Sequence, residues 1–325
     1  MTKPEIKDLA KLLLKIAAFL VLLFALDRGI GGWIEKKYDN SPQGNIDVIA
    51  HAIRNPSEDL YVFGPSLAVH SYNCRVFTDS LGMSCYNAGR ENSLVLYSST
   101  IFRWSLKKHK PKFVILSISP KDLQWRASES ADKVIQSMLM PYVLRDTSFR
   151  NLTAYLYPNE TKLAGVSKLY AYNSMILPIM LGHDGSGKAK VEDIKNGYLP
   201  LYGSKVQHGR AGYKFEDPAV DDDSKKIFED FLKLAKENNV PMIVAESPLY
   251  IQPFPETGTE REVKRLCAQY DVPFWNFATD ERFAKENYFY DNIHMNDEGG
   301  TAYSKFIVGE LKKYFAEKYP DLLNK

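Results

Sequence analysis

Three side chains, two of them close neighbours and one far away in the chain, have the types and spacing for acyl chemistry: Ser66, Asp291 and His294. A serine hydroxyl is a weak nucleophile until a neighbouring base takes its proton. Histidine is the usual base, and a carboxylate on its other ring nitrogen fixes the tautomer. Ser66 follows the apolar run Leu60–Phe63 and the breaker pair Gly64-Pro65, and SLAVHSYN continues from it. A buried strand, a tight turn and a helix start would expose its side chain above the carboxyl edge of a parallel sheet. The first N–H groups of that helix would favour an anion beside it. Taken alone, Gly-x-Ser reads more readily as a helix N-cap. The far end of the chain adds Asp291-Asn292-Ile293-His294 ahead of MNDEGGTAYSKFIVGEL, a loop running into a helix. An Asp three residues before a His can orient the imidazole as a base for a distant serine. His70, one helical turn after Ser66, is the rival histidine and reads rather as packing or support.

The elements that must position these residues alternate. Strands are expected at Leu60–Phe63, up to Asn87, within Pro111–Ser119, at Val240–Glu246 and at Val272–Phe277. Helices are expected at Ser66–Leu81, Ser93–His109, Asp222–Asn239, Thr257–Tyr270 and Gly300–Lys318. Strand–helix alternation with nearly all-apolar strands predicts a parallel sheet covered on both faces. Residues 125–222 break the rhythm. They hold helical pieces at Lys133–Leu144 and Leu163–Leu181, the loop GHDGSGKAK, and the Tyr-rich NGYLPLYGS. A long insertion of this kind is expected to act as a cap or lid. Tyr198 and Tyr202 are its candidate substrate-binding residues; with Leu199 and Tyr213 they could line a groove for sugars, the reading favoured for the stretch as a whole, while packing of the insert is the plainer role for each singly.

Ser66 after the first strand, Tyr86-Asn87-Ala88-Gly89 after the second, a third strand ending Ser119-Pro120-Lys121-Asp122, and Asp291-x-x-His294 resemble the SGNH (GDSL-type) hydrolase family. The resemblance covers Asp59–Arg126 and Val240–Leu311, with a divergent middle. It implies a three-layer, flavodoxin-like α/β fold with a central parallel sheet. It implies Ser66 as nucleophile, His294 as base and Asp291 as its partner. It implies oxyanion donors from Ser66, Gly89 and Asn92, and no cofactor. The sequence departs from the family in three places. Pro65 replaces the Asp of Gly-Asp-Ser. Asn92 stands where Asn-x-Gly-x-x-Gly ends in glycine. The third-block Asn is missing, and loss of one oxyanion donor costs ~10²–10³ in rate. Asp122 in that block reads as a helix cap. Arg90 could bind an acidic substrate or form an exposed ion pair.

The chain has 325 residues, 45% hydrophobic and 25% charged, ordinary for a globular protein. A net charge of +2 argues against an electrostatic nucleic-acid binder. Its three cysteines, Cys74, Cys85 and Cys267, lack zinc-site spacing, while Cys74 and Cys85 could pair in an oxidising compartment. Leu12–Leu26 is apolar except for Lys15, and with Ile30–Trp33 it could span a bilayer. Lys3, Lys7, Lys11 and Lys15 favour a cytoplasmic N-terminus. A signal peptide is the rival, but Phe24-Ala25-Leu26-Asp27 is a poor cleavage site; a core helix of a soluble protein is the third reading. The expected organisation is therefore an anchor over 1–35, a linker and amphipathic helix (Ile46–Ile53) over 36–57, and an SGNH-like domain over 58–325. The domain would lie outside the cytoplasm. The expected activity is serine-dependent hydrolysis or transfer of an acyl group on an envelope or extracellular glycan. The alternative is an inactive SGNH-fold protein that binds or assembles.

Overall fold

The structure is a computed structural model. It describes residues 3–40, 51–53, 55–124, 139–181, 195–207, 209–212, 217, 219–252 and 254–323. Residues 133–138 of the expected helical piece Lys133–Leu144, most of Ile46–Ile53, and GHDGSGKAK lie outside these residues; the rest of Lys133–Leu144 holds one 3-10 turn, Met140–Tyr142. The chain divides into two compact units: Met1–Ser41 with Gln136–Gly185, and Pro42–Ile135 with Ser186–Lys325.

The larger unit is built on a five-stranded sheet in the order β2-β1-β3-β4-β5. The strands are β1 Leu60–Phe63, β2 Cys85–Asn87, β3 Phe113–Ile118, β4 Met242–Glu246 and β5 Phe274–Asn276. Every pairing is parallel. This is the doubly wound, flavodoxin-like order expected from the sequence, in which functional groups gather beyond the carboxyl ends of the strands. β1, β3 and β4 are buried along their whole length, which is why they read as unbroken apolar runs. One face packs on the last helix, Asp297–Lys318, through Tyr303, Ile307, Leu311 and Phe315, all fully buried with Phe113 and Ile115.

The helix expected over Ser66–Leu81 is two helices, Ser66–Ser71 and Cys74–Leu81. Asn73 breaks it: its side chain accepts from Arg75 N–H at 3.2 Å and donates to Thr301 at 3.2 Å, so it caps the second helix instead of continuing the first. The final helix starts three residues early because Asn296 caps it on Gly299 N–H at 3.0 Å. Cys74 and Cys85 form a disulfide with Cα atoms 5.2 Å apart, joining that second helix to β2.

The smaller unit holds the N-terminal helix, Lys3–Asp39, which is long and apolar enough to cross a membrane. Its apolar run is exposed throughout. Its last turns are docked on the helices of residues 139–181. Leu163–Leu181, expected as one helical piece, is distributed over three helices, Pro158–Val166, Lys168–Ala171 and Ile176–Leu181. Arg145 bridges Glu35 at 3.3 Å and Asp39 at 2.9 Å and donates to the Tyr172 hydroxyl at 2.7 Å.

Candidate active site

β1 ends in a turn that only glycine fits. Gly64 has φ +147, and a Cβ there would lie 2.4 Å from Ser117 O. The turn lifts Ser66 to the first position of the helix Ser66–Ser71, at the carboxyl edge of the sheet. Its N–H has no carbonyl one turn back within that helix.

His294 comes to Ser66 from the other end of the chain, with Nε2 2.8 Å from Ser66 Oγ. Its Nδ1 lies 2.9 Å and 3.1 Å from the two carboxylate oxygens of Asp291. A carboxylate only accepts, so Nδ1 carries the proton and Nε2 is left to accept the Ser66 hydroxyl. Asp291 Oδ1 also accepts from the N–H groups of Ile293 and His294 at 2.9 and 2.8 Å. Partial burial pushes the Asp291 carboxyl up, but the His294 ring and these two N–H groups outweigh it and hold the pKa below the usual value. The carboxylate therefore stays charged wherever the histidine can work as a base.

Three further contacts make this arrangement rigid. Gly300 of the last helix packs so closely on the serine-bearing helix that a Cβ would meet His70 O at 2.4 Å. His70 is buried, with Nδ1 2.7 Å from Leu199 O and Nε2 3.0 Å from Glu91 Oε1, and it packs edge-on against the His294 ring. Both nitrogens are thus occupied, and His70 supports His294 from behind. Residues 195–207 form a strap across both parts of the site. Leu199 N–H donates to Val69 O at 3.2 Å, and Lys205 N–H to Tyr290 O at 2.5 Å.

The other expected site residues fall less simply. Gly89 N–H donates to Asn87 Oδ1 at 3.0 Å, so it is not open to an oxyanion as expected. Arg90 N–H is held by Gly64 O at 3.0 Å, tying the turn after β2 to the turn after β1. Tyr198 is only 5% exposed and its hydroxyl donates to Asp297 at 3.1 Å, so it packs under the strap instead of lining a groove. Tyr202 is 66% exposed. Asn92 is exposed and adopts φ +52, a left-handed backbone that favours glycine. Asn92→Gly is expected to change stability by no more than about 1 kcal/mol. It is also expected to leave the rate of serine labelling by a fluorophosphonate unchanged. A fall of about 10²-fold or more would place the Asn92 carboxamide at the oxyanion.

Two buried acids at the same sheet edge were differently legible. Asp122 accepts from Ser119 N–H at 2.9 Å and from its hydroxyl at 2.8 Å, closing the turn after β3; among the described residues no helix adjoins it for the expected cap. Burial nevertheless pushes its pKa up to about 7. Glu246, the last residue of β4, was not singled out at all, since a lone Glu at the end of an apolar strand carries no motif. It is 1% exposed, and among the described residues neither carboxyl oxygen has a hydrogen-bond partner. Burial first, then the charges of Glu260 and Asp122, push its pKa up to about 8. An acid with a raised folded pKa binds its proton more tightly folded than unfolded, so stability falls as pH rises from the unfolded value through about 8. Glu246→Gln is expected to flatten that fall, with a higher melting temperature than wild type at pH 9 and little gain at pH 5. The difference at pH 9 is of the order of a few kcal/mol. Parallel melting curves at both pH values would contradict it. Among the described residues, no group of three or more His, Cys, Asp or Glu is placed to hold a metal ion.

No family model matches the sequence, and no curated protein matches it significantly. Among solved structures, the chain is similar to one titled as an acetyl xylan esterase, AlAXEase, at 9% identity and TM-score 0.38, covering 78% of this chain and 98% of that one. It is also similar to a protein of Bacteroides fragilis NCTC 9343 titled “putative acylhydrolase”, at 12% identity and TM-score 0.38, covering 81% and 93%. Likenesses this loose carry no chemistry to this chain.

Proposed function

We propose that the protein is a membrane-anchored, SGNH-like enzyme that cleaves or transfers an acyl ester through Ser66. The observation that carries the reading is the chain of contacts Ser66 Oγ–His294 Nε2 and His294 Nδ1–Asp291. In the reaction, Ser66 Oγ attacks the ester carbonyl carbon while its proton passes to His294 Nε2. The carbonyl oxygen becomes an oxyanion, to which Ser66 N–H and the turn at Asn92 are the nearest proposed donors. The carbon–oxygen bond to the alcohol then breaks, and His294 returns the proton to the leaving oxygen. Water or a second hydroxyl, deprotonated by His294, attacks the acyl-Ser66. This releases a carboxylic acid or a new ester and restores the serine.

An envelope or extracellular glycan is the proposed bearer of the acyl group, with the exposed Tyr202 and the half-buried Arg90 at its approach. The compartment is read from the lysines ahead of the apolar helix and from the Cys74–Cys85 disulfide, a bond that persists in oxidising surroundings. The second reading is a non-catalytic binding domain. It is favoured by the committed Gly89 N–H and by Asp122 standing where the family has an amide donor. Incubation of the full chain with a fluorophosphonate, and with acetylated glycans, decides between them. Covalent labelling of Ser66 with release of acetate or its transfer is expected. A chain that takes no label at any pH from 6 to 9 would favour the binding domain.

A further inference from the structure

The apolar run of the N-terminal helix is short for its task. Leu12–Leu26 extends about 22 Å at about 1.5 Å per residue, against a hydrocarbon core of about 30 Å. Asp27 and Arg28 interrupt the run, yet the apolar surface continues past them. Ile30 and Trp33 remain 46% and 51% exposed. The two charges are taken up by the neighbouring helices. Asp27 accepts from Ser167 Oγ, Lys168 N–H and Leu169 N–H at 2.5, 2.9 and 3.1 Å. Arg28 donates to Val166 O at 2.5 Å and lies over the Phe24 ring. These contacts fix the end of the helix Pro158–Val166 beside the level at which the apolar run ends. Two side chains there are apolar and open, beside the exposed Lys162: Leu163 is 51% exposed and Val166 is 70% exposed. About 12 Å further along the axis the character reverses. There Glu35 pairs with Lys168 at 2.6 Å, and Asp39 with Arg145 at 2.9 Å.

We propose that Leu163 and Val166, with Ile30 and Trp33, form a wedge immersed in the headgroup–acyl boundary of the leaflet from which the N-terminal helix emerges. This rests on reading that helix as a membrane anchor. The occupant is lipid because of the graded polarity along one axis. Apolar side chains stand open at the depth of Asp27–Trp33, where Asp27 and Arg28 pair with each other at 3.8 Å, and ion pairs to the neighbouring helices begin at Glu35. A Trp between the two zones, with Lys37 Nζ 5.4 Å from its ring centre, is the usual side chain for that boundary. Capture of Asp27 by three donors removes the cost of holding a carboxylate at that depth. The wedge completes the span that Leu12–Leu26 leaves short.

The test uses the full chain in phospholipid nanodiscs. Single nitroxide labels are placed at Leu163→Cys, Val166→Cys, Leu20→Cys and Lys313→Cys, with the disulfide and the buried Cys267 left native. Collision with oxygen is compared with collision with nickel–EDDA. Oxygen is expected to exceed nickel several-fold at positions 20, 163 and 166, and nickel to exceed oxygen at 313. Nickel-dominated collision at 163 and 166, with 20 still in lipid, overturns the wedge and leaves the anchor. Nickel dominance at 20 as well overturns the anchor itself. Poor collision with both reagents at 163 and 166 means a protein surface covers the face, which also overturns the wedge. Photolabelling the unmodified chain with a diazirine on the lipid acyl chain gives the same answer without substitution. Adducts within Leu163–Val166 are expected, and adducts confined to Leu12–Leu26 refute the proposal.

Discussion

Ser66→Ala and His294→Ala are each expected to cut acyl-enzyme formation by about 10⁴-fold or more, with no loss of fold. The two side chains act as one unit, so each removal should cost nearly as much as both together. Without Oγ there is no atom to acylate. Without the imidazole, Oγ keeps its proton at neutral pH, because a hydroxyl has no other base at 2.8 Å. Neither side chain carries the core. Both are part-exposed at the sheet edge, while the packing beneath runs through Leu60, Val62, Phe113 and Tyr303. Measurement is by fluorophosphonate labelling rate and by the burst of alcohol from an activated acetate ester, beside a circular-dichroism melt. Wild-type turnover in either variant would end the serine mechanism.

Asn87→Ala is expected to be the most damaging single change to the larger unit, costing about 3–5 kcal/mol. Asn87 closes β2 and is fully buried. Its amide donates to Ala68 O at 2.7 Å and Tyr72 O at 3.0 Å, and its oxygen accepts from Gly89 N–H. Alanine would strand Tyr72 O and Gly89 N–H and leave Ala68 O with only the Tyr72 N–H at 3.3 Å, in a buried place, and would loosen the end of the helix that carries Ser66. Asn87→Asp sharpens the test. A carboxylate would face two carbonyl oxygens, so this variant should be weaker at pH 8 than at pH 5, where protonation restores one donor. The midpoint of chemical denaturation in detergent reports both effects. An unchanged midpoint in Asn87→Ala would mean that the helix end is held by the strap alone.

The parts of this protein that the sequence by itself determined are those fixed over short distances. Apolar runs of strand length, each followed by a helix pattern, yielded the five parallel strands and the side of the sheet on which Ser66 stands. Asp291 and His294 were legible as a pair because a three-residue spacing lets one loop close its own hydrogen bonds. The helix break at Asn73 was missed because apolar periodicity continues through it. The Asn73 side chain caps Arg75 N–H and is held there by a second bond to Thr301, far along the chain. Only the tertiary structure could bring His294 to 2.8 Å from Ser66, since that distance is set by how β1 and the last helix pack across the sheet. The Gly89 N–H is spent locally on Asn87, two residues back, whereas tertiary packing decided that the Tyr198 hydroxyl goes to Asp297 and that its ring is buried. It decided, too, that the end of the N-terminal helix belongs with residues from Gln136 to Gly185. A donor's type is written in the sequence. Whether it is still unspent depends on which distant acceptor the folded chain delivers to it.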